Sequence, residues 1–336
     1  MKRIFIKTLI ASVALAAAGV SIAQDVKTIK FANQNTAGHP IILGMEKFKE
    51  IVEKNSGGKI KVNVFPGGAL GSDQANVSAI QGGTLEMASM NSGIFANQVK
   101  EFAIFDFPFL FGSSKEADAV VDGPFGKKLH ARLEDKGIVG LGYYELGFRH
   151  ISNSKRPINK VEDLEGLKLR VIPNPMFMES FGALGTNPVP MAFTELYGAL
   201  DSKAMDAQEN PFAVIFTSKF YEVQKFLSVT NHVYTSNPVV ISKKTWDKLS
   251  AEEQKLIQEA VTEGGLFERK LSRDTAKKFR QDLTGKGMQI NDVPAATLTK
   301  MQELTKPTIE KFSATYDPTL VNLYRSEMER IRKAIP

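Results

Sequence analysis

The chain has 336 residues, 43% hydrophobic and 24% charged, a globular composition at a length that suggests two domains. It has no cysteine, which excludes disulfides, thiolate metal sites and cysteine nucleophiles. Lys2, Arg3 and Lys7 account for half of the formal +6 charge, and no Lys/Arg cluster interleaved with aromatics follows, so nucleic acid is not an expected partner.

Residues 1–23 read as a secretory signal peptide. Lys2, Arg3 and Lys7 form a basic head, Leu9 to Val20 are almost wholly apolar or small, and Ser21-Ile22-Ala23 fits the small-x-small cleavage rule. The apolar run falls short of the roughly 20 residues of a spanning helix. Cleavage after Ala23 and a periplasmic location are expected. The four histidines, His39, His130, His150 and His232, have no metal-binding spacing, so neither metal nor cofactor is expected.

After the leader, Thr28–Ala32 alternates as a strand, and the polar loop Asn33–Pro40 leads into a helix with Ile42, Met45, Phe48, Ile51 and Val52 at helical spacing. Gly57-Gly58 ends it, and Ile60, Val62 and Val64 mark a second strand. This strand–helix–strand unit predicts parallel pairing in an α/β sheet. A helix over Ser72–Gly82 and a strand over Leu85–Met90 follow. Ligands of open α/β sheets gather at the carboxyl ends of strands. Gln34, His39, Gln74 and Asn91 are therefore candidates for one wall of a crevice. The run Phe102–Phe111 holds five phenylalanines and reads as core rather than as a sugar platform.

A helix around Ser114–Leu133 and a strand from Ile138 bring the chain to its most informative stretch. Leu167, Leu169 and Val171 alternate with Lys168 and Arg170, a half-buried strand that turns at Pro173-Asn174-Pro175. Arg170 thus stands near a strand end, where its planar fork matches a carboxylate with two charge-assisted hydrogen bonds. A short helix through Phe181, a strand at Val189–Phe193, a helix capped by Thr194, and a strand delivering Glu209-Asn210-Pro211 form a second set of α/β units. The extended run Phe226–Ile241 predicts a strand crossing back to the first sheet. Ser250 and Glu253 have capping-box spacing and open one long amphipathic helix to about Lys286. A short strand at Met288–Ile290 and two helices complete the chain. No nucleophile elbow, metal cluster or acid pair suggests an enzyme.

Five motifs, Gly147-Phe148-Arg149, Leu167–Val171, Pro188–Tyr197, Asp206–Pro211 and Phe220–Leu227, resemble those of the periplasmic solute-binding proteins of TRAP transporters, the DctP family. The resemblance covers essentially the whole chain after the leader. It implies a two-domain, periplasmic-binding-protein-like (type II) α/β fold. Each domain is a mainly parallel sheet flanked by helices, and a long helix spans both. The implied division is 24–146 plus 237–275 for domain I and 147–236 plus 276–310 for domain II. Residues 311–336 form a C-terminal helix packing back on domain I. By the same resemblance Arg170 forms the salt bridge to a ligand carboxylate, Arg149 and Asn210 are further contacts, and Phe193 is the pocket aromatic. Asn174 joins them from the Pro-Asn-Pro turn. The implied partners are a small organic acid and the small and large membrane subunits of a TRAP permease, with the receptor itself a monomer.

Where sialic-acid-binding members carry Glu and Arg after the third strand, this chain has Asn91 and Ile94. The neutral wall of Gln34, His39, Gln74 and Asn91 suits a uronate or another hydroxylated monocarboxylate. A C4-dicarboxylate stays open if Arg149 is a second cation, and Phe177 and Met178 leave open a more apolar acid. A ligand sensor for a membrane signalling protein would share every one of these residues.

Overall fold

Alternation at the start of the described chain buries Ile29 and Phe31 on one face of strand β1 (Lys27–Ala32). The computed structural model describes residues 26–334, and the expected signal peptide lies outside them. Helix α1 (Pro40–Asn55) lays Ile41, Met45, Phe48 and Val52 over the sheet, and β2 (Ile60–Phe65) returns parallel to β1. Helix α2 (Asp73–Gly82) and the short strand β3 (Met87–Ser89) repeat the unit. The phenylalanine-rich run is a buried 3-10 turn, Lys100–Asp106, whose Phe105 meets Phe125 edge-on at 5.4 Å. It is core, as the sequence predicts.

The single helix expected around Ser114–Leu133 is two, α3 (Ser114–Val121) and α4 (Pro124–Leu133). Pro124 has no amide hydrogen to continue α3 but suits the first turn of α4. Strand β4 (Ile138–Phe148) then runs almost directly into β5 (His150–Asn153), leaving one sheet for the other at Arg149. The second sheet continues with β6 (Lys168–Val171), α5 (Pro175–Ala183), β7 (Asn187–Pro190), α6 (Phe193–Asp201), β8 (Ala207–Asn210), α7 (Phe212–Thr217) and β9 (Phe226–Val229). Helix α6 starts one residue before the expected Thr194 cap, with Ala192 in the cap position and no side-chain bond.

Strand β10 (Tyr234–Ser242) crosses back, as expected, and pairs with β3 and β4. After α8 (Lys243–Trp246), helix α9 (Ala251–Gly285) runs 35 residues, about 50 Å at 1.5 Å per residue. Its capping box is present: the Ser250 hydroxyl accepts from the Glu253 amide, and the Glu253 carboxylate accepts from the Ser250 amide at 2.7 Å. The helix packs on α1 and β4 of the first lobe and on α7 of the second. Strand β11 (Gln289–Asp292) joins the second sheet, and α10 (Ala295–Ser313) covers α5. Helix α11 (Pro318–Ala334) returns to α3 and α4, where Glu327 accepts from the Phe125 amide at 3.2 Å.

The strand orders are β2-β1-β3-β10-β4 and β11-β9-β5-β8-β6-β7. Both sheets are mixed: three of the five pairings in the second sheet are parallel, and two of the four in the first. Strand β10 is antiparallel to β3 and β4, and β5 is antiparallel to β8 and β9. The cause is the double crossing. A strand that leaves one sheet for the other enters its new sheet against the direction set by the strand–helix units there.

Candidate ligand-binding site

The two lobes meet over a small cavity at the carboxyl ends of β1, β3 and β6. From the first lobe it is lined by Gln34, Asp73, Gln74 and Asn91, and from the second by Arg170 and Phe193; its volume of about 10 Å³ is room for about one water molecule. The lobes touch at its lip and floor. The Thr36 hydroxyl donates to the Thr217 carbonyl at 3.0 Å, and the Asn174 amide donates to Asp106 at 2.8 Å and to the Gly93 carbonyl at 3.3 Å. A larger groove between α4, β4 and α9 faces outward, and its Asp122 and Arg269 already satisfy one another.

Arg170 is the centre of the site. Its side chain is buried, and Nε and Nη2 both donate to the Met191 carbonyl, at 2.9 and 2.7 Å. The Phe193 ring lies 5.8 Å from the guanidinium carbon, within cation–π range. Among the described residues no carboxylate forms an ion pair with it. Burial lowers its pKa to about 10, with Glu209 opposing that shift and Arg149 adding to it, so Arg170 is a cation at neutral pH. A buried guanidinium without a carboxylate in direct contact is costly, and an anion entering the cavity would relieve that cost.

Arg149 differs. It is completely buried at the crossing between the sheets and is ion-paired with Glu209 through Nε. Its Nη2 donates to Glu209 Oε1 at 2.8 Å and to Asn210 Oδ1 at 3.1 Å. Burial alone would raise the Glu209 pKa, but Arg149 and the His232 hydrogen bond at 3.1 Å outweigh it and hold it below the usual value. Asn210 in turn donates to Gln208 at 2.7 Å. Arg149 and Asn210 are therefore members of a buried network behind the cavity and are not brought to its lining.

His39 and Asn174 have other partners. The His39 ring caps α1 by accepting from the Ile41 amide at 3.1 Å, and burial pushes its pKa down to about 3. Asn174 caps α5 by accepting from the Met176 amide at 2.8 Å while its amide ties the lobes together. Gln34, Gln74, Asn91, Arg170 and Phe193 are the predicted residues that the fold assembles around one space.

The sequence reading missed Asp73. It opens α2 directly after the Ser72 cap, is 2% exposed, and neither carboxylate oxygen has a hydrogen-bond partner. Burial raises its pKa to about 7 against the opposing attraction of Arg170. Gln74 was picked out one position away. The signal that could have found Asp73 is its place in the first turn of a helix after a strand's carboxyl end.

The sequence model of bacterial extracellular solute-binding protein family 7, DctP, matches residues 31–315. The chain belongs to this family. The receptor is similar to the sugar acid binding protein DctPAm of Advenella mimigardefordensis, solved in complex with galactonate. That likeness has 38% identity and a TM-score of 0.89, covering 91% of this chain and all of the other. It is 36% identical over 264 residues to the 2,3-diketo-L-gulonate-binding periplasmic protein YiaO of Escherichia coli, spanning 79% of this chain and 80% of that one. It is 31% identical over 281 residues to the C4-dicarboxylate-binding periplasmic protein DctP of Rhodobacter capsulatus, with 83% and 84% covered. The family consists of TRAP solute receptors for small organic acids rather than enzymes. No helix among the described residues is long and apolar enough to cross a membrane.

Proposed function

We propose that this receptor captures a hydroxylated monocarboxylate, a uronate or aldonate, in the periplasm and delivers it to the membrane subunits of a TRAP permease. One observation carries the reading: Arg170 is a buried cation lining a small polar cavity, and its guanidinium donates to the Met191 carbonyl with no carboxylate among the described residues in direct contact. A ligand carboxylate there gains charge-assisted hydrogen bonds in a low-dielectric site. The galactonate-bound and diketogulonate-binding relatives support the ligand class. A C4-dicarboxylate would need a second free cation, and Arg149 is already matched to Glu209.

Domain I, taken as 24–146 plus 237–275, and domain II, taken as 147–236 plus 276–310, close on the ligand by hinging within the crossing strands, near Tyr144–Leu146 on β4 and Ser236–Val239 on β10. The chain acts as a monomer after cleavage at Ala23. With no nucleotide-binding motif in this chain, uptake draws on an ion gradient across the permease. In this reading Arg149, Asn210, His39 and Asn174 support the site from behind or from its rim.

A thermal-shift screen of organic acids names the ligand class, because a bound acid raises the melting temperature by mass action. Calorimetry on Arg170→Lys follows. Lysine keeps the charge and loses the fork, so affinity should fall by about 1–3 kcal/mol, tenfold to a hundredfold, with Arg170→Ala losing more. Undiminished binding by Arg170→Lys would remove Arg170 as the carboxylate clamp.

A further inference from the structure

The first-lobe wall carries an unmet demand of its own. Asp73 is a carboxylate, an acceptor with room for several donors, yet neither oxygen is hydrogen-bonded and the side chain is 2% exposed. Beside it, the Asn91 side-chain oxygen is also buried and without a partner. Both line the same cavity as Arg170, on the opposite lobe. Leaving such acceptors dry costs stability, and the fold gains nothing from them internally. The wall is therefore complementary to hydrogen-bond donors and to no further negative charge.

The rest of the site sharpens this. Arg170 is the one lining cation, and the second arginine nearby is neutralised by Glu209. With Asp73 ionised, above about pH 7, a bound monocarboxylate leaves the group of Arg170, Asp73 and ligand with one net negative charge. A dicarboxylate would set its second carboxylate against Asp73 with no cation to separate them, where low dielectric strengthens repulsion. A hydroxyl at the same place would donate to Asp73 and gain a charge-assisted bond.

We propose that Asp73 is the specificity-determining residue of this receptor, accepting hydroxyl protons from the far end of the ligand and turning away a second carboxylate. The inference rests on the carboxylate clamp at Arg170 and adds the group that reads the other end of the molecule. It also accounts for a buried, unpaired acid that only costs the ligand-free protein stability.

The test is calorimetry of the mature protein and of Asp73→Asn with galactonate, galacturonate and succinate as probes, with melting temperatures alongside. Asparagine keeps the shape and removes the charge. The parent should prefer the better of the two sugar acids to succinate. Asp73→Asn should lose about tenfold on that sugar acid and gain on succinate, collapsing the preference. Its ligand-free melting temperature should be equal to or above the parent's, where a merely structural aspartate would lower it. A preference unchanged in Asp73→Asn, or a parent that binds succinate more tightly than both sugar acids, overturns the assignment of Asp73 and leaves the Arg170 clamp standing. Binding of none of the three acids overturns both.

Discussion

Two buried arginines within one lobe have opposite chemistry because of their partners. Arg149 has a dedicated carboxylate in Glu209, and Arg170 has a carbonyl and an aromatic face. They should therefore fail differently when the chemistry around them changes. Glu209→Gln leaves Arg149 buried without its counter-charge, which costs about 3–5 kcal/mol of folding stability. Denaturant unfolding should show that loss, whereas Arg170→Lys, which removes no balanced pair, should unfold near the parent's midpoint. Equal midpoints for Glu209→Gln and the parent would mean that the pair is not what holds the crossing. Arg170 was legible in the sequence because strand alternation and the Pro-Asn-Pro turn fix where it stands. Arg149 was legible as important but not in its partner, since Glu209 is brought opposite it only by the pairing of β5 with β8. Asp73 was passed over because a polar residue after a helix cap is ordinarily solvated, whereas this one is buried.

At the scale of elements, most of the strands and helices follow from local pattern, and the exceptions have local causes. The break between α3 and α4 follows from Pro124, and the antiparallel pairings of β5 and β10 follow from the two crossings; the extended run Phe226–Ile241 reports the second crossing but not its direction. Close contact between the lobes was likewise invisible in the sequence, although one glycine records it. Gly68 follows β2 with φ of +70°, and a Cβ there would lie 2.6 Å from Cγ2 of Thr194 on α6, across the cleft. Gly68→Ala should therefore hinder closure as well as strain its own backbone. Thr194→Ser removes the opposing methyl and leaves the strain. Affinity for a sugar acid should fall in Gly68→Ala and recover in the double variant, while the stability loss persists in both. Small-angle scattering should show Gly68→Ala failing to compact at ligand concentrations that compact the parent. If the single variant binds and compacts like the parent, this contact is not formed in the liganded state.

For the whole molecule, burial of acids and of histidines pulls the pH dependence of stability in opposite directions. His39, His130 and His150 are pushed down to about 3 by burial, so they bind fewer protons folded than unfolded, and their contribution rises with pH up to their ordinary value. Asp73 and Asp106 are pushed up by burial to about 7 and about 8, and Glu268 also upward, so the folded protein binds the extra proton. Where the unfolded chain binds fewer protons than the folded one, stability falls as pH rises. Above about pH 6.5 the histidines are largely neutral in both states, and the acids dominate. The ligand-free melting temperature should therefore fall between about pH 7 and pH 8, even though acid denaturation limits it at the other end. Asp106 isolates the effect. It sits between the lobes with one oxygen accepting from Asn174 and the other unpartnered, and Asp106→Asn removes its titration. The slope of melting temperature against pH in that window should flatten in the variant, whatever its absolute stability. A parent whose melting temperature is level or rising across the window, or a variant with the parent's slope, would show that Asp106 is ionised in the folded protein at neutral pH, and that the floor of the cleft is wetter than its packing implies.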